Sequence, residues 1–470
     1  MTDTALTQTR SPNNPTSINW VLPVSILGSS LGFIDSSVVN VALPAIQDDF
    51  NSGLATVQWV SNAYMLTLAS LILLGGALGD RYGTLRVFKI GLTIFVLASI
   101  GCGFAISAPL LIAARFIQGG SAALLVPTSL ALISQAYTGE ERGKAIGTWA
   151  AAGGVLLALG PPLGGWLVDN AGWRSIFFIN VPIAGAALLL SSRIAIQPSS
   201  RTDACHLDLV GSALAVLTLG TFTYGMVELG QGSFLVGTTA VFVSIPLALA
   251  FIFIEKQTAA PIMPLRLFKN RNFAGANALT FVLYAGLSGA LFVLPFVLIR
   301  VHHYSVTQAG AAFLPFSIIL GLGSRLAGRV ASKTGRRLPL IVGPLITASG
   351  FAALALSGRN PDYLSGYMPG LIAIGIGMTL AIPALTMTVF DSSPNKDSGA
   401  ASGINNAAAR SGGLIAVGAL GIAFGGSDFS SLSERDIAAA YSVIMWSSAL
   451  AAAISVACAT FAITANGEAE

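Results

Sequence analysis

An aspartate lies inside an apolar run that is long enough to cross a membrane. The run extends from Trp20 to about Ala45 and contains Asp35. At ~1.5 Å rise per residue, a helix of about 25 residues exceeds a hydrocarbon core of ~30 Å. An ionised carboxylate at the centre of such a helix costs about 2.5 to 3.5 kcal/mol, so it persists where it faces a partner, a cavity or a proton path. We therefore interpret Asp35 as a functional acid; the alternative is a structural hydrogen bond between helices.

The composition assigns the whole chain to the membrane and narrows its function. Of 470 residues, 54% are hydrophobic and only 9% are charged, and no soluble globular protein has this balance. The net charge of +4 comes from basic residues spread over short loops, which argues against nucleic-acid binding. The three cysteines and three histidines have no ligand spacing, so we expect no cofactor or metal site. No catalytic set or nucleotide loop is present among the embedded residues, so we predict that the chain is not an enzyme.

Apolar runs of about 18 residues or more predict about fourteen membrane-spanning helices in an all-α integral membrane fold. Most of the 24 Lys and Arg residues fall in alternate loops, which predicts that both termini are cytoplasmic, N-in and C-in. The predicted spans start near Trp20, Val57, Val87, Leu110, Lys144, Ser175, Leu209, Phe234, Phe273, Gln308, Leu338, Tyr363, Gly399 and Ile437.

Two loop sequences occur twice, which predicts a duplicated architecture. The Gly76–Gly83 loop is similar to Gly328–Gly335, and Glu141–Gly147 is similar to Asp397–Gly403. Both repeats predict two pseudo-symmetric six-helix bundles. The predicted organisation is a cytoplasmic tail over 1–19, a bundle over 20–193, a linker with two extra helices over 194–272, a second bundle over 273–465 and a C-terminal tail over 466–470.

Several motifs then share one resemblance that covers nearly the whole chain. They are the Gly76–Arg86 loop, Arg115–Gly120, the Gly160-Pro161-Pro162-Leu163-Gly164-Gly165 run with Gly147 before it, and the signatures Asp35–Pro44 and Trp173–Pro182. Together they resemble the major facilitator superfamily, and more narrowly its fourteen-helix drug:proton antiporter branch, the multidrug efflux type.

The resemblance implies a multi-pass transporter of the cell (inner) membrane. It would export small lipophilic organic compounds or drugs in exchange for protons, by alternating access. The expected partners are a small-molecule substrate, protons and the lipid bilayer, with no nucleic acid, and the protein would act as a monomer. Two alternatives remain: a narrow exporter of a single metabolite or antibiotic, and a non-transporting membrane sensor.

The loop after the second span is predicted to form a cytoplasmic gate. Its glycines allow a tight turn, and its acid can pair with a basic residue of a neighbouring loop. A solvated basic loop is the alternative. The residues concerned are Gly76, Asp80, Arg81, Gly83, Arg86 and Arg142.

The glycine and proline residues of the fifth span are predicted to form a hinge. Two successive prolines remove helix hydrogen bonds and favour a kink, while the glycines allow close packing on a neighbouring helix. Packing alone is the alternative. The set comprises Gly147, Gly160, Pro161, Pro162, Gly164 and Gly165.

Asp35 and Arg115 are predicted to lie at the same depth. Asp35 is ~22 Å from the inner end of its span and Arg115 is ~9 Å from the outer end of its span, and these depths coincide in a core of ~30 Å. We therefore expect a direct or water-bridged pair that couples proton binding to conformational change. A static pair that only stabilises the bundle is the alternative.

A few polar residues in the spans are expected to face a substrate cavity. Asp35 is the one carboxylate placed clearly inside a span, and it must carry the proton. The cavity should then be neutral to positive, which favours neutral or weakly anionic lipophilic substrates. The candidate cavity residues are Asn40, Gln118, Asn405, Asn406 and Arg410.

Overall fold

The computed structural model describes residues 19–194, 207–258, 261–357, 362–394, 397–425 and 433–464. Within these ranges the chain folds into α-helices, one short 3-10 helix and their connections. Residues 1–18 and 465–470, which make up most of the two predicted tails, lie outside the described residues, as does 195–206 of the predicted linker.

The first helices form what we call the first group, α1 to α7, and are followed by a helical hairpin, α8 and α9. The first group comprises α1 (Val21–Asp49), α2 (Leu54–Tyr82), α3 (Thr84–Gly103), α4 (Ala108–Ala136), α5 (Gly139–Ala171), α6 (Ser175–Phe178) and α7 (Asn180–Ser191). The hairpin comprises α8 (Leu209–Gly230) and α9 (Phe234–Gln257).

A 3-10 helix over Leu265–Lys269 precedes the remaining helices, which we call the second group. This group comprises α10 (Arg271–Arg300), α11 (Val306–Ala311), α12 (Leu314–Thr334), α13 (Arg337–Ser357), α14 (Tyr363–Gly366), α15 (Met368–Asp391), α16 (Ser398–Ala423) and α17 (Glu434–Ala462).

Within the described ranges, twelve helical segments are both long and apolar enough to cross a membrane. The two other predicted spans differ from this pattern. The one predicted to start near Ser175 is a broken helix over Ser175–Ser191, and the one near Gly399 is the 26-residue α16, whose two asparagines and arginine lower its hydropathy. The fold is therefore an all-helical membrane fold, while the fourteen crossings remain a prediction.

The helix boundaries also correct several predicted starts. The fifth span was expected from Lys144, but α5 begins at Gly139 and includes the charged turn before the apolar run. The tenth span was expected from Gln308 and is divided into α11 and α12 by a break at Ala312. Hydropathy locates the apolar middle of a helix, whereas hydrogen bonding continues into its polar ends.

Small residues allow the helices to approach closely. A Cβ at Gly75 of α2 would lie 3.1 Å from the Cα of Leu124 in α4, and a Cβ at Gly225 of α8 would lie 2.8 Å from the carbonyl oxygen of Gly237 in α9. Only glycine allows the backbones to approach this closely. The dispersion gained between such tightly packed helices stabilises their association in lipid.

The same helix pairings occur in both groups. In the first group α1 packs on α4, α5 and α7, while α3 packs on α4 and α7. In the second group α10 packs correspondingly on α15, α16 and α17, while α13 packs on α15 and α17. The hairpin lies across the two groups, since α8 contacts both α2 and α16.

The two groups contact each other at the end of the molecule where α1 ends, which we call the Asp48 end. Arg300 of α10 forms an ion pair with Asp48, and the backbone N–H of Thr307 donates to Asp169 of α5 at 2.7 Å. Away from this end, within the described chain, a Cβ at Gly143, Gly147 or Gly328 would meet no atom within 4 Å, whereas a Cβ at Gly403 of α16 would collide with the side chain of Leu73 in α2.

Candidate functional site

Asp35 and Arg115 form an ion pair in the interior of the first group. The guanidinium Nη1 of Arg115 donates to Oδ2 of Asp35. Asp35 is 0% exposed and Arg115 is 1% exposed, so both charges are removed from solvent. The structure thus brings together the two residues whose depths indicated a pair.

Arg115 is held by three further groups. Its Nε donates to the carbonyl oxygen of Val60 at 3.1 Å, and its Nη1 also donates to Oε1 of Gln118 at 2.7 Å. The ring of Tyr64 lies 4.3 Å from the guanidinium carbon, in cation–π contact. Each side of the guanidinium therefore has a fixed neighbour, as a desolvated cation requires.

Asp35 accepts two amide hydrogen bonds in addition to the ion pair. Nε2 of Gln118 donates to its Oδ1 at 3.0 Å, and Nδ2 of Asn180 donates to the same oxygen at 3.3 Å. Both amides also donate to Oγ of Ser99, at 3.3 Å and 3.0 Å respectively. We call these five residues, Asp35, Ser99, Arg115, Gln118 and Asn180, the Asp35 cluster.

Four helices supply the Asp35 cluster, and local geometry explains each position. Arg115 and Gln118 are three residues apart on α4, so they project from the same face of that helix. Ser99 on α3 is oriented by its own donation to the carbonyl oxygen of Phe177 at 2.9 Å. Asn180 is the first residue of α7, directly after the break that ends α6.

One acceptor of the Asp35 cluster is left over: Oδ1 of Asn180 is buried and has no donor. If the Asn180 amide turned over, this oxygen would face Asp35 and would accept a hydrogen bond from the O–H of the protonated acid. The cluster is therefore complete for the ionised acid and holds an acceptor for the neutral one.

The predicted gating loop has a tight turn, and the described part of the chain shows no ion pair between Asp80 and Arg142. Gly83 joins α2 to α3 with φ of +96°, a backbone angle that glycine adopts without strain. Asp80, Arg86 and Arg142 are exposed, and the ion pairs of the described chain include neither Asp80 nor Arg142. Arg81 stacks against the ring of Tyr82. The expected pairing of Asp80 with Arg142 is thus not formed here.

The predicted hinge motif lies where α5 meets α1 and α11. A Cβ at Gly160 would collide with Ser37, and one at Gly164 would lie 3.0 Å from the carbonyl oxygen of Val38. Gly165 faces α11, where a Cβ would lie 2.9 Å from Cα of Thr307.

The carbonyl oxygen of Pro161 in turn contacts Gly310 of α11, and α5 runs as one helix through Pro161 and Pro162. Gly147, at the far end of α5, has open space beside it. The motif therefore joins the first group to the second at the Asp48 end.

The predicted cavity residues divide between several environments. Gln118 belongs to the Asp35 cluster, and Asn405 bridges to α10 by donating to Oγ1 of Thr280 at 2.8 Å. Asn406 is exposed and donates to the carbonyl oxygen of Ser402 at 3.0 Å, while Asn40 is half-buried on α1 outside the cluster.

Arg410 is the cavity residue whose surroundings differ from those of the others. It is half-buried on α16 and close enough to Tyr64 and Tyr284 to interact electrostatically with both phenols. In the described chain it has no ion-pair partner. Tyr64 is therefore within electrostatic range of Arg410, while its ring contacts Arg115 of the Asp35 cluster.

Sequence reasoning assigned no role to Asn180 or Ser99, although Asn180 lies in one of the quoted signatures. For Asn180, the available signal was a polar residue directly after the apolar run Phe177-Phe178-Ile179. Ser99 has no comparable signal, because a serine within an apolar span is common. Among the described residues, no three His, Cys, Asp or Glu side chains are placed to hold a metal ion.

The comparisons with known proteins agree with the motifs. The family model for the Major Facilitator Superfamily matches residues 25–417. The chain is 34% identical over 402 residues to the multidrug resistance protein Stp of Mycobacterium tuberculosis, covering 84% of this chain and 74% of that protein. It is 33% identical over 409 residues to the methylenomycin A resistance protein of Bacillus subtilis, covering 86% of each.

Solved structures support the same fold. The inward-open structure of the xylose transporter XylE from E. coli matches with a TM-score of 0.65 at 15% identity, covering 96% of this chain and 97% of that one. The family model and the two relatives confirm the family predicted from the motifs. The chain belongs to the major facilitator superfamily, and it is a multi-pass membrane transporter related to drug- and antibiotic-resistance proteins.

Proposed function

We propose that this protein is a proton-coupled antiporter that exports small lipophilic organic compounds. The observation that carries the proposal is the Asp35–Arg115 ion pair, buried at 0% and 1% exposure within a membrane helix bundle. A buried ion pair contributes little net stability compared with apolar residues of the same size. Its presence within membrane helices is therefore better explained by a proton pathway than by stability.

Protonation of Asp35 would change the energy of the first group through Arg115. Neutral Asp35 no longer compensates the guanidinium, and removing one partner of a buried pair costs about 3 to 5 kcal/mol. Arg115 would then favour a conformation in which water or another anion reaches it. Because Asp35 is fully enclosed, the proton reaches it only after the cluster opens, so proton binding and conformational change depend on each other.

Alternating access would use the two ends differently. We propose fourteen crossings in two duplicated halves with both termini in the cytoplasm, supported by the recurring helix pairings. In that orientation the Asp48 end, where Arg300 pairs with Asp48, is extracellular and closed, and we propose that a space between the groups opens to the cytoplasm. A cysteine placed at Ser233 should then react with a membrane-impermeant thiol reagent in intact cells, whereas one at Tyr82 should react only after permeabilisation.

The substrate class follows from the charges beside the space between the groups. Arg410 is half-buried without an ion-pair partner in the described chain, and Asp35 is committed to Arg115. A cation entering this site would meet a like charge, whereas a neutral or anionic aromatic compound could contact the half-buried Arg410 and Tyr284. We therefore propose neutral or weakly anionic lipophilic substrates.

A narrow exporter of one antibiotic is the second candidate, because one relative is named for resistance to a single compound, methylenomycin A. Expression in an efflux-deficient host separates the two proposals. The panel contains neutral, anionic, monocationic and bis-cationic lipophilic compounds, with the Asp35→Asn variant as the inactive control. Resistance to several neutral or anionic compounds supports the broad exporter, and resistance to one compound supports the narrow one. Strong resistance to bis-cationic compounds would refute the proposed substrate charge.

A further inference from the structure

Two buried carboxyl groups meet at the base of the hairpin, far along the chain from the Asp35 cluster. Asp208 precedes α8 and is 6% exposed, and Glu255 lies in the last turn of α9 and is 3% exposed. Neither forms an ion pair in the described part of the chain. Burying two negative charges without a cation beside them is costly, so the charge must be removed or compensated in another way.

Each carboxyl uses one oxygen to bind a backbone N–H. Oδ1 of Asp208 accepts from the N–H of Gly211 at 2.7 Å and thereby caps α8. Oε2 of Glu255 accepts from the N–H of Met263 at 3.0 Å, in the segment that leads to the 3-10 helix. These two bonds fix the orientation of both carboxyl planes.

The second oxygen of each carboxyl has no donor. Oδ2 of Asp208 and Oε1 of Glu255 are both buried without a hydrogen-bond partner. Both lie closer than 3.0 Å to the point that a Cβ on Gly211 would occupy. The two oxygens therefore face one another within the ~4 to 6 Å over which like charges oppose each other's ionisation.

A single proton satisfies both oxygens, since one carboxyl then donates and the other accepts. A metal ion is a poorer fit, because Mg²⁺ and Ca²⁺ take six or more oxygens and only two carboxyl oxygens are free here. A bridging water could donate to both oxygens, but it would leave two negative charges buried without compensation.

The charged groups around the pair are directed elsewhere. Lys256 on α9 is exposed, as are Arg266 and Lys269 on the 3-10 helix, and Arg266 pairs with Asp397 at 2.7 Å. On α8 the other carboxylate, Glu228, lies near the opposite end of the helix. The described chain thus offers no cation to replace the proton.

We infer that Asp208 and Glu255 share one proton at neutral pH and form a proton-dependent clasp at the base of the hairpin. The clasp ties together the start of α8, the end of α9 and the backbone at Met263. Since α8 packs on both α2 and α16, loss of the proton would loosen a helix that contacts both groups. The site is independent of the Asp35 cluster.

Infrared spectroscopy of the purified full chain tests the shared proton. The wild-type protein at pH 7 should show the C=O stretching band of a protonated carboxyl, shifted in D₂O, and this band should vanish at high pH. The Glu255→Gln and Asp208→Asn variants should each lose the band, and the matched control Glu228→Gln, on the same hairpin, should keep it. Absence of the band in the wild type, or its persistence in both single variants, would overturn the inference.

A comparison of single and double variants provides a second test. Each single amide replaces the proton with a permanent N–H donor to the remaining carboxylate, so both single variants should keep a melting temperature near that of wild type. The double variant leaves two NH₂ groups facing each other without an acceptor, and it should melt below both single variants. A double variant as stable as the single variants would show that the two groups do not share a proton.

Discussion

Replacement of Asp35 by Asn should lower stability and abolish coupled transport. Asparagine keeps the shape of the side chain and an acceptor for Gln118 and Asn180, but it cannot titrate. Its amide would present N–H groups or a neutral oxygen to the guanidinium of Arg115, which is 1% exposed. The variant therefore isolates the effect of one negative charge.

The size of the effect follows from the remaining neighbours of Arg115. Loss of one partner from a buried pair costs about 3 to 5 kcal/mol. Arg115 would keep the carbonyl of Val60 at 3.1 Å, Oε1 of Gln118 at 2.7 Å and the ring of Tyr64. We therefore expect a loss near 3 kcal/mol, the lower end of that range.

The double variant Asp35→Asn/Arg115→Gln is the matched control. Because no buried charge remains, it should recover most of the lost stability, with a coupling energy of about 2 kcal/mol in a double-mutant cycle. Transport should stay uncoupled in both variants. Chemical unfolding in detergent and proton flux in proteoliposomes provide the two readouts. A stability loss below about 1 kcal/mol in the single variant would refute the electrostatic dependence of Arg115 on Asp35.

Four further variants test separate parts of the account. Arg115→Lys should reduce coupled transport by about tenfold or more, since one ammonium cannot reach all the acceptors of the planar guanidinium. Pro161→Ala with Pro162→Ala should slow the interchange of conformations, measured by substrate counterflow, with little change in equilibrium binding. Asn180→Leu should cost about 1 to 3 kcal/mol in chemical unfolding by removing one hydrogen bond each from buried Asp35 and Ser99, and should weaken coupling. Arg410→Gln should reduce resistance to anionic compounds more than resistance to neutral ones in the susceptibility panel.

Each of these substitutions has a contradicting result. Near-wild-type transport by Arg115→Lys would mean that charge alone suffices. Collapse of binding with normal interchange in the proline variant would make that motif a binding feature. Full stability and coupling in Asn180→Leu would remove Asn180 from the coupling site, and equal loss for neutral and anionic compounds in Arg410→Gln would remove its role in substrate charge.

The family and the principal charge pair were accessible from the sequence. Apolar length and motif spacing are one-dimensional properties, and the depth of a residue follows from its distance to a helix end. These sufficed to identify the family and to expect Asp35 beside Arg115.

The rest of the Asp35 cluster was not accessible in the same way. Gln118 was expected in a substrate cavity, and Ser99 and Asn180 had no assigned role, because their contacts depend on the rotation of three helices about their axes. Spacing within one helix does not determine which neighbour it faces. Asn180 also follows a helix break that hydropathy does not reveal.

The ends of helices were the second source of error. Hydropathy predicted one span where the chain forms two helices, α11 and α12. It also gave no reason to expect a contact between Asp208 and Glu255. These residues are 47 positions apart in the printed numbering and meet only because α8 and α9 pack as a hairpin. Polar residues at helix ends appear solvated in sequence, and burial emerges only from packing.

Proton counter-flux in proteoliposomes tests the central claim most directly. A compound to which the protein confers resistance is loaded on one side without a pH gradient, and a pH-sensitive dye reports the lumen. The account predicts that substrate movement through the wild-type protein drives protons the opposite way, and that Asp35→Asn moves none above protein-free liposomes. A counter-flux in Asp35→Asn equal to that of the wild type would contradict the assignment of Asp35 as the coupling acid.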